Sequence, residues 1–230
     1  MNEKGRGKRK GILFLVSAPS GGGKTTLCEA ILGSMENIVR SISYTTRPPR
    51  PGERDGVDYF FLSPEEFERR VEAGFFAEWA RVHGHAYGTG MEQVLSETGE
   101  GHDMLFAIDV QGVRQMVDRF RPRGVPLVTL FILPPSWEVL ADRLRRRGTD
   151  SPEAITTRLE TARKEVAAAW SYDYLVVNDR LEAAISAMQA IIEAERRRTA
   201  LIGPTLLPAL TGEGSVSGGT PLPPGQGVSK

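Results

Sequence analysis

The sequence predicts an α/β fold in which a parallel sheet is covered by helices on both faces. Short, largely apolar runs of strand length at residues 11–16, 104–108, 127–133 and 174–177 alternate with amphipathic stretches of helical period. Strands buried on both faces read as such uninterrupted runs. A second, β-rich block at residues 41–87 interrupts the alternation and has the size of a substrate-holding subdomain.

The first strand and its sequel organise the rest. After residues 11–16 come Ser17-Ala18-Pro19-Ser20-Gly21-Gly22-Gly23-Lys24-Thr25-Thr26, and helical spacing resumes from Leu27. Strand, glycine-rich turn and helix in that order make a phosphate-binding loop. Its glycines let successive backbone N–H groups turn toward phosphate oxygens, and the helix presents its positive end to the same anion. Lys24 then reaches the β- and γ-phosphates, and Thr25 offers a hydroxyl to magnesium. Ala18 stands where the general pattern has glycine, which fits a backbone of negative φ.

Further along, residues 38–44 read as a strand leading into Thr45-Thr46-Arg47-Pro48-Pro49-Arg50-Pro51-Gly52-Glu53, where the prolines forbid regular structure. Residues 57–61 are strand-like. Ser63, Pro64 and Glu66 open a helix as N-cap, first helical residue and reciprocal cap, and Gly74 stops it. Residues 75–82 read as a strand and 84–88 as a turn, after which Thr89 and Glu92 form a second capping box for a helix ending near Gly99. Asp109 sits at the carboxyl end of the strand at 104–108, where ligands meet open α/β sheets. Helices follow at about 112–120, from Ser136 to the basic run Arg143-Leu144-Arg145-Arg146-Arg147, from Ser151-Pro152 with Arg158, and at 181–200. The strand at 174–177 ends in Asn178.

The organisation expected is a disordered basic arm at 1–9, one domain at 10–202 and a disordered tail at 203–230, where Gly, Pro, Ser and Thr replace bulky residues. Within the domain, a core (10–40, 96–142, 164–202) carries an insertion at 41–95 and a lid at 143–163. The chain holds 29 basic and 29 acidic residues, so its formal net charge is zero and nothing calls for a nucleic-acid or membrane partner. One cysteine, Cys28, cannot form an internal disulfide; a reducing, cytoplasmic setting is expected for it, as a small core residue. No run is long enough to span a bilayer.

The motifs Ala18 to Thr25, Ser43-Tyr44-Thr45-Thr46-Arg47 to Glu53, Tyr87-Gly88-Thr89, Ile108-Asp109-Val110-Gln111-Gly112 and Val177-Asn178-Asp179 resemble guanylate kinase, over about residues 11–197. The resemblance implies a P-loop NTPase fold and ATP-dependent phosphorylation of GMP, or also dGMP, to GDP, with Mg²⁺ as cofactor. For the donor it implies a site formed by Ala18, Pro19, Ser20, Gly21, Gly22, Gly23, Lys24, Thr25 and Thr26, with Asn178 at the adenine.

For the acceptor phosphate, Arg47 and Arg50 lie in a proline-stiffened segment, and an arginine fork suits a phosphate dianion. The resemblance adds Tyr59, Tyr87 and Gly88 to this site and Glu53 as its organiser. Guanine presents N1–H and its 2-amino group as adjacent donors, which one carboxylate can accept together. Glu78 matches the family residue in that role, with Ser43 and Thr89 as further base contacts and Asp109 near the amino group. Arg143, Arg147 and Arg158 fall where the family has its lid over the transferring phosphoryl group. Ala107 departs from relatives that carry an acid two positions before Asp109.

Other readings remain open on sequence alone: a non-catalytic guanylate-kinase-like interaction module, or a P-loop kinase for a different phosphorylated acceptor. The complete Gly23-Lys24-Thr25 motif opposes the first, and Glu78 with Ser43 opposes the second. A monomer and a homodimer are equally compatible with the sequence.

Overall fold

The structure, a computed structural model, describes residues 9–82, 84–146 and 152–211. Its nine strands, among the described residues, are β1 (Leu13–Ser17), β2 (Ile38–Arg40), β3 (Tyr44–Thr45), β4 (Phe60–Phe61), β5 (Phe76–Val82), β6 (His85–Gly90), β7 (Asp103–Ala107), β8 (Leu127–Leu133) and β9 (Tyr174–Val177). The helices are α1 (Lys24–Ser34), α2 (Pro64–Glu72), α3 (Met91–Gly99), α4 (Val110–Phe120), α5 (Trp137–Arg146), α6 (Pro152–Ala167), α7 (Leu181–Arg196) and α8 (Thr199–Thr211).

The main sheet is parallel throughout, with strand order β2-β7-β1-β8-β9. Its centre, β1, is buried at every residue, as a strand covered on both faces requires. Alternation divides that strand between two cores. Phe14 and Val16 pack with Leu27, Ile31, Met188 and Ile192 of α1 and α7, while Leu13 and Leu15 pack with Val113, Met116 and Phe120 of α4. The glycine loop thus leaves the carboxyl end of the central strand.

The second sheet is mixed, in the order β4-β3-β6-β5, and is built from the β-rich block of the sequence. Phe67 of α2 stacks on Phe76 with centroids 4.5 Å apart, giving this sheet an aromatic core of its own. The stretch expected as one strand over 38–44 is two: β2 joins the main sheet and β3 the second, so the chain changes sheets at residues 41–43.

Several local expectations meet a different structure. Ser63 Oγ accepts the Glu66 N–H at 3.1 Å as a cap should, but Glu66 turns to Arg70 at 2.7 Å instead of closing the box. Gly90, not Thr89, precedes α3, because the Thr89 hydroxyl is taken by Glu78. Residues 85–88, expected as a turn, belong to β6. Arg9, placed in a disordered arm, is pinned by two bonds to Asp103, at 2.6 and 2.8 Å. Helix α8 runs through Gly203 to Thr211, where composition predicts disorder; Leu201 anchors it on the α1–α7 core.

Candidate active site

The phosphate loop is shaped by its surroundings as well as its glycines. Gly23 has φ +93°, and a Cβ there would come within 2.2 Å of Asn178 Nδ2, so both conformation and space demand glycine. Asn178, at the end of β9, donates from Nδ2 to the Gly22 carbonyl at 2.9 Å. Ala18 keeps a negative φ, the condition under which alanine fits this turn. Lys24, the first residue of α1, donates from Nζ to the Ile108 carbonyl at 2.8 Å, an oxygen that also accepts the Ser17 hydroxyl. Burial lowers the Lys24 pKa below its ordinary value, with nearby Asp109, Glu165 and Glu78 opposing the shift.

A cavity of about 320 Å³ opens beside this loop, and its walls come from both sheets. Lys24, Thr25 and Asp109 line one side; Ser43, Tyr59, Glu78 and Tyr87 line the other. Asp109 caps α4, accepting the Gly112 N–H at 2.8 Å, which holds its carboxylate at the strand end. Glu78 is only 4 % exposed, and burial pushes its carboxyl up to about 7; the Thr89 hydroxyl, donating at 2.7 Å, pulls the other way.

At the rim, Arg47 and Glu53 form a two-bond pair at 2.8 and 2.9 Å, and the Arg50 N–H donates to Glu53 at 2.7 Å. The Arg47 guanidinium lies 5.3 Å from the Tyr59 ring centre, and Tyr59 meets Tyr87 edge-on. Arg50 is exposed, and Gly88 is paired between Tyr44 and Trp79 within the second sheet. On the other flank, Arg143 of α5 donates to the Asn178 carbonyl at 2.9 Å. Arg158 is half-buried on α6, while Arg147 and Ser151 lie outside the described residues. The structure thus gathers Lys24, Thr25, Ser43, Tyr59, Glu78, Tyr87 and Asp109 round one cavity, with Thr89 behind Glu78, Arg47 and Glu53 at its edge, and Arg143 reaching Asn178.

Residues that sequence reasoning passed over also line this space or lie beside the phosphate loop. Ser41 lines the cavity with a buried, unpartnered hydroxyl; its i,i+2 spacing from Ser43 was the available signal. Glu165 of α6 has a buried oxygen without a partner, and burial raises its carboxyl while the Ser20 N–H and Lys24 lower it. Nothing local in the sequence marks that residue, because its neighbours are remote. Cys28 lines the cavity too, with a thiol that burial raises to about 11, so it is an inert wall and not a nucleophile.

A parallel sheet with a glycine-rich loop at the end of its central strand, opening onto a cavity shared with an arginine-bearing second sheet, defines a P-loop nucleotide kinase. The family model described as "Guanylate kinase" matches residues 10–195. Curated guanylate kinases from Geobacter sulfurreducens and Syntrophotalea carbinolica are 46 % identical over 195 residues and 49 % identical over 196 residues. Each alignment covers 85 % of this chain, and 94 % and 91 % of those proteins. The crystal structure of guanylate kinase from Anaplasma phagocytophilum superposes with a TM-score of 0.73 at 32 % identity, over 90 % of this chain and 97 % of that one. The chain belongs to the guanylate kinase family.

Proposed function

We propose that this chain transfers the γ-phosphoryl group of ATP to GMP, giving ADP and GDP, with donor and acceptor meeting in the cavity between the two sheets. One observation carries the assignment of the acceptor: the buried carboxylate of Glu78 opens into the same cavity as Lys24 and Thr25. An ionised carboxylate there accepts from guanine N1–H and the 2-amino group together, whereas adenine offers a bare N1 beside its amino group. Ser43, Thr89 and Asp109 complete the base site. The GMP phosphate is taken by Arg47 and Arg50 with the Tyr59 and Tyr87 hydroxyls, beside Gly88, and Glu53 holds Arg47 in place until it arrives.

On the donor side, the loop from Ala18 to Thr26 cradles the phosphates, Lys24 neutralises them and Asn178 meets the adenine. A phosphate oxygen of GMP, largely ionised at neutral pH because its second pKa is about 6, attacks the γ-phosphorus. The bond from that phosphorus to the β-bridging oxygen breaks, and ADP leaves with the electron pair. No general base is required; positioning and charge neutralisation supply the catalysis. Arg143, Arg147 and Arg158, on a lid at 143–163, would stabilise the charge of the transferring group. Closure of this lid and of the insertion at 41–95 would exclude water from the reaction.

The oxygen donors beside Lys24 suit a hard cation: the Thr25 hydroxyl and the Asp109 carboxylate both line the cavity. Thr25 would hold Mg²⁺ together with phosphates and water, and the ion would withdraw charge from the β- and γ-oxygens. Ala107 contributes no ligand, which leaves Asp109 as the carboxylate at this strand end.

The reaction is tested by ADP release from Mg-ATP with GMP, AMP, CMP and UMP offered separately, beside Lys24→Ala. Turnover with GMP, lost in the variant, is the expected result. Equal stimulation by AMP would remove the guanine assignment, and no stimulation by any monophosphate would return the chain to the interaction-module reading.

A further inference from the structure

Strand β5 lies at the edge of the second sheet, so the outward backbone groups on its free side have no neighbouring strand. Helix α4 of the core meets them instead. Gln115 Nε2 donates to the Trp79 carbonyl at 2.6 Å, and the Trp79 N–H donates to Gln115 Oε1 at 3.1 Å. One carboxamide therefore mimics a partner strand. Arg119 donates to the Phe76 carbonyl at 2.8 Å. These contacts bracket Glu78, and between Phe76 and Glu78 the β5–β6 register shifts. The Thr89 hydroxyl fixes one carboxylate oxygen from within the sheet, but the irregular backbone that carries Glu78 needs a second hold from outside it.

The same helix supplies the rest of the frame. Gly112 lies so near the Glu78 carboxylate that a Cβ there would stand 2.8 Å from Oε2. Asp109 caps the helix and lines the cavity. Positions 112, 115 and 119 are spaced three and four apart, hence on one helix face. The distance between the two carboxylates of the base site is therefore set by a rigid helix bonded at both ends of the Glu78 segment.

We propose that Gln115 is a positioning residue for base discrimination: its two bonds to Trp79, supported by Arg119, hold the Glu78 carboxylate at a fixed offset from Asp109. The inference rests on the assignment of Glu78 to the guanine. Glutamine suits the position because it both donates and accepts; glutamate has the same shape but cannot donate to the Trp79 carbonyl.

The test is a double-mutant cycle of Gln115→Leu with Glu78→Gln, reading KM for GMP, KM for ATP and the kcat/KM ratio of GMP to inosine monophosphate, which lacks the 2-amino group. Gln115→Leu should raise KM for GMP roughly tenfold, the scale of one or two lost hydrogen bonds, leave KM for ATP unchanged and shrink the GMP preference. In the Glu78→Gln background the same change should add little, since the group it positions is already impaired. Gln115→Glu, which preserves shape and one bond, should fall between wild type and the leucine variant and serves if the latter does not fold. Independent, multiplicative effects, or an equal rise in both Michaelis constants, would overturn the inference. An unchanged KM for GMP in Glu78→Gln alone would instead remove the base-site assignment itself.

Discussion

Glu78 combines two properties that usually exclude each other: it is buried, and its proposed task needs a negative charge. With its carboxyl raised to about 7 by burial, a substantial fraction is protonated in the free protein near neutrality. The ionised form accepts both guanine donors, so GMP binding should strengthen as pH rises towards about 7 and level off above it. Titration calorimetry against pH would show this step, and Glu78→Gln would lack it, which separates it from the titration of GMP itself. Stability runs the other way. Because the folded pKa lies above the unfolded one, the folded protein binds more protons between about 4.5 and 7, and this group's contribution declines as pH rises through that window. At fixed pH, Glu78→Gln should raise KM for GMP by about 1.5–3 kcal/mol equivalent, the scale of a hydrogen bond to a charged group. Read locally, Glu78 is only a strand carboxylate, and the family resemblance alone singled it out together with Thr89; Gly112 and Gln115, which complete its setting, sit well beyond any local pattern. Lys24 was legible directly, because loop, lysine and helix are contiguous.

At the scale of elements, motifs closed by near neighbours were readable and those diverted by distant ones were not. Ser63 caps α2 as its sequence indicates. Replacing it with alanine should cost about 1 kcal/mol, seen as a lower urea midpoint with an unchanged slope. Thr89 and Glu92 have the same spacing but make no box, because a buried carboxylate across the sheet claims the threonine hydroxyl. The chain's change of sheet between β2 and β3 is likewise invisible in an alternating run, since both halves have the same period. Helix α8 defied a composition rule: its glycine and prolines argue against order, yet apolar anchoring through Leu201 is available only after α1 and α7 have packed.

For the whole molecule, the parallel sheet followed from the buried apolar runs, while strand order and the meeting of distant ends did not. Asp103 is the clearest case. Its carboxylate is wholly buried and receives Arg9 from the chain's beginning, Arg196 from α7 at 2.7 Å and the Ile12 N–H at 2.9 Å. Asp103→Ala would remove the buried carboxylate that Arg9 and Arg196 share, leaving Arg196 only its pairing with Glu193 and the Glu36 carbonyl, and should cost about 3 kcal/mol, measured by chemical denaturation, with α7 and the first strand loosening together in hydrogen exchange. No helix among the described residues is long and apolar enough to cross a membrane. The cavity draws its walls from residues as far apart as Lys24 and Asp109; strand-end reasoning brings these two to one edge of the sheet, whereas Glu78 joins them in the sequence only through the family resemblance.

Asn178 joins α5 to the phosphate loop, receiving Arg143 on its carbonyl and holding the Gly22 carbonyl with its side chain. In mechanical language it is a hasp: an arginine from α5 is fastened, through one residue, to the loop that would seat the donor. In the proposed lid role, Arg143 would have to release this bond before reaching a phosphate. Seating phosphates in the loop would then trade this fastening for a contact to the donor, and so uncouple α5 from Asn178 at the moment the site is loaded.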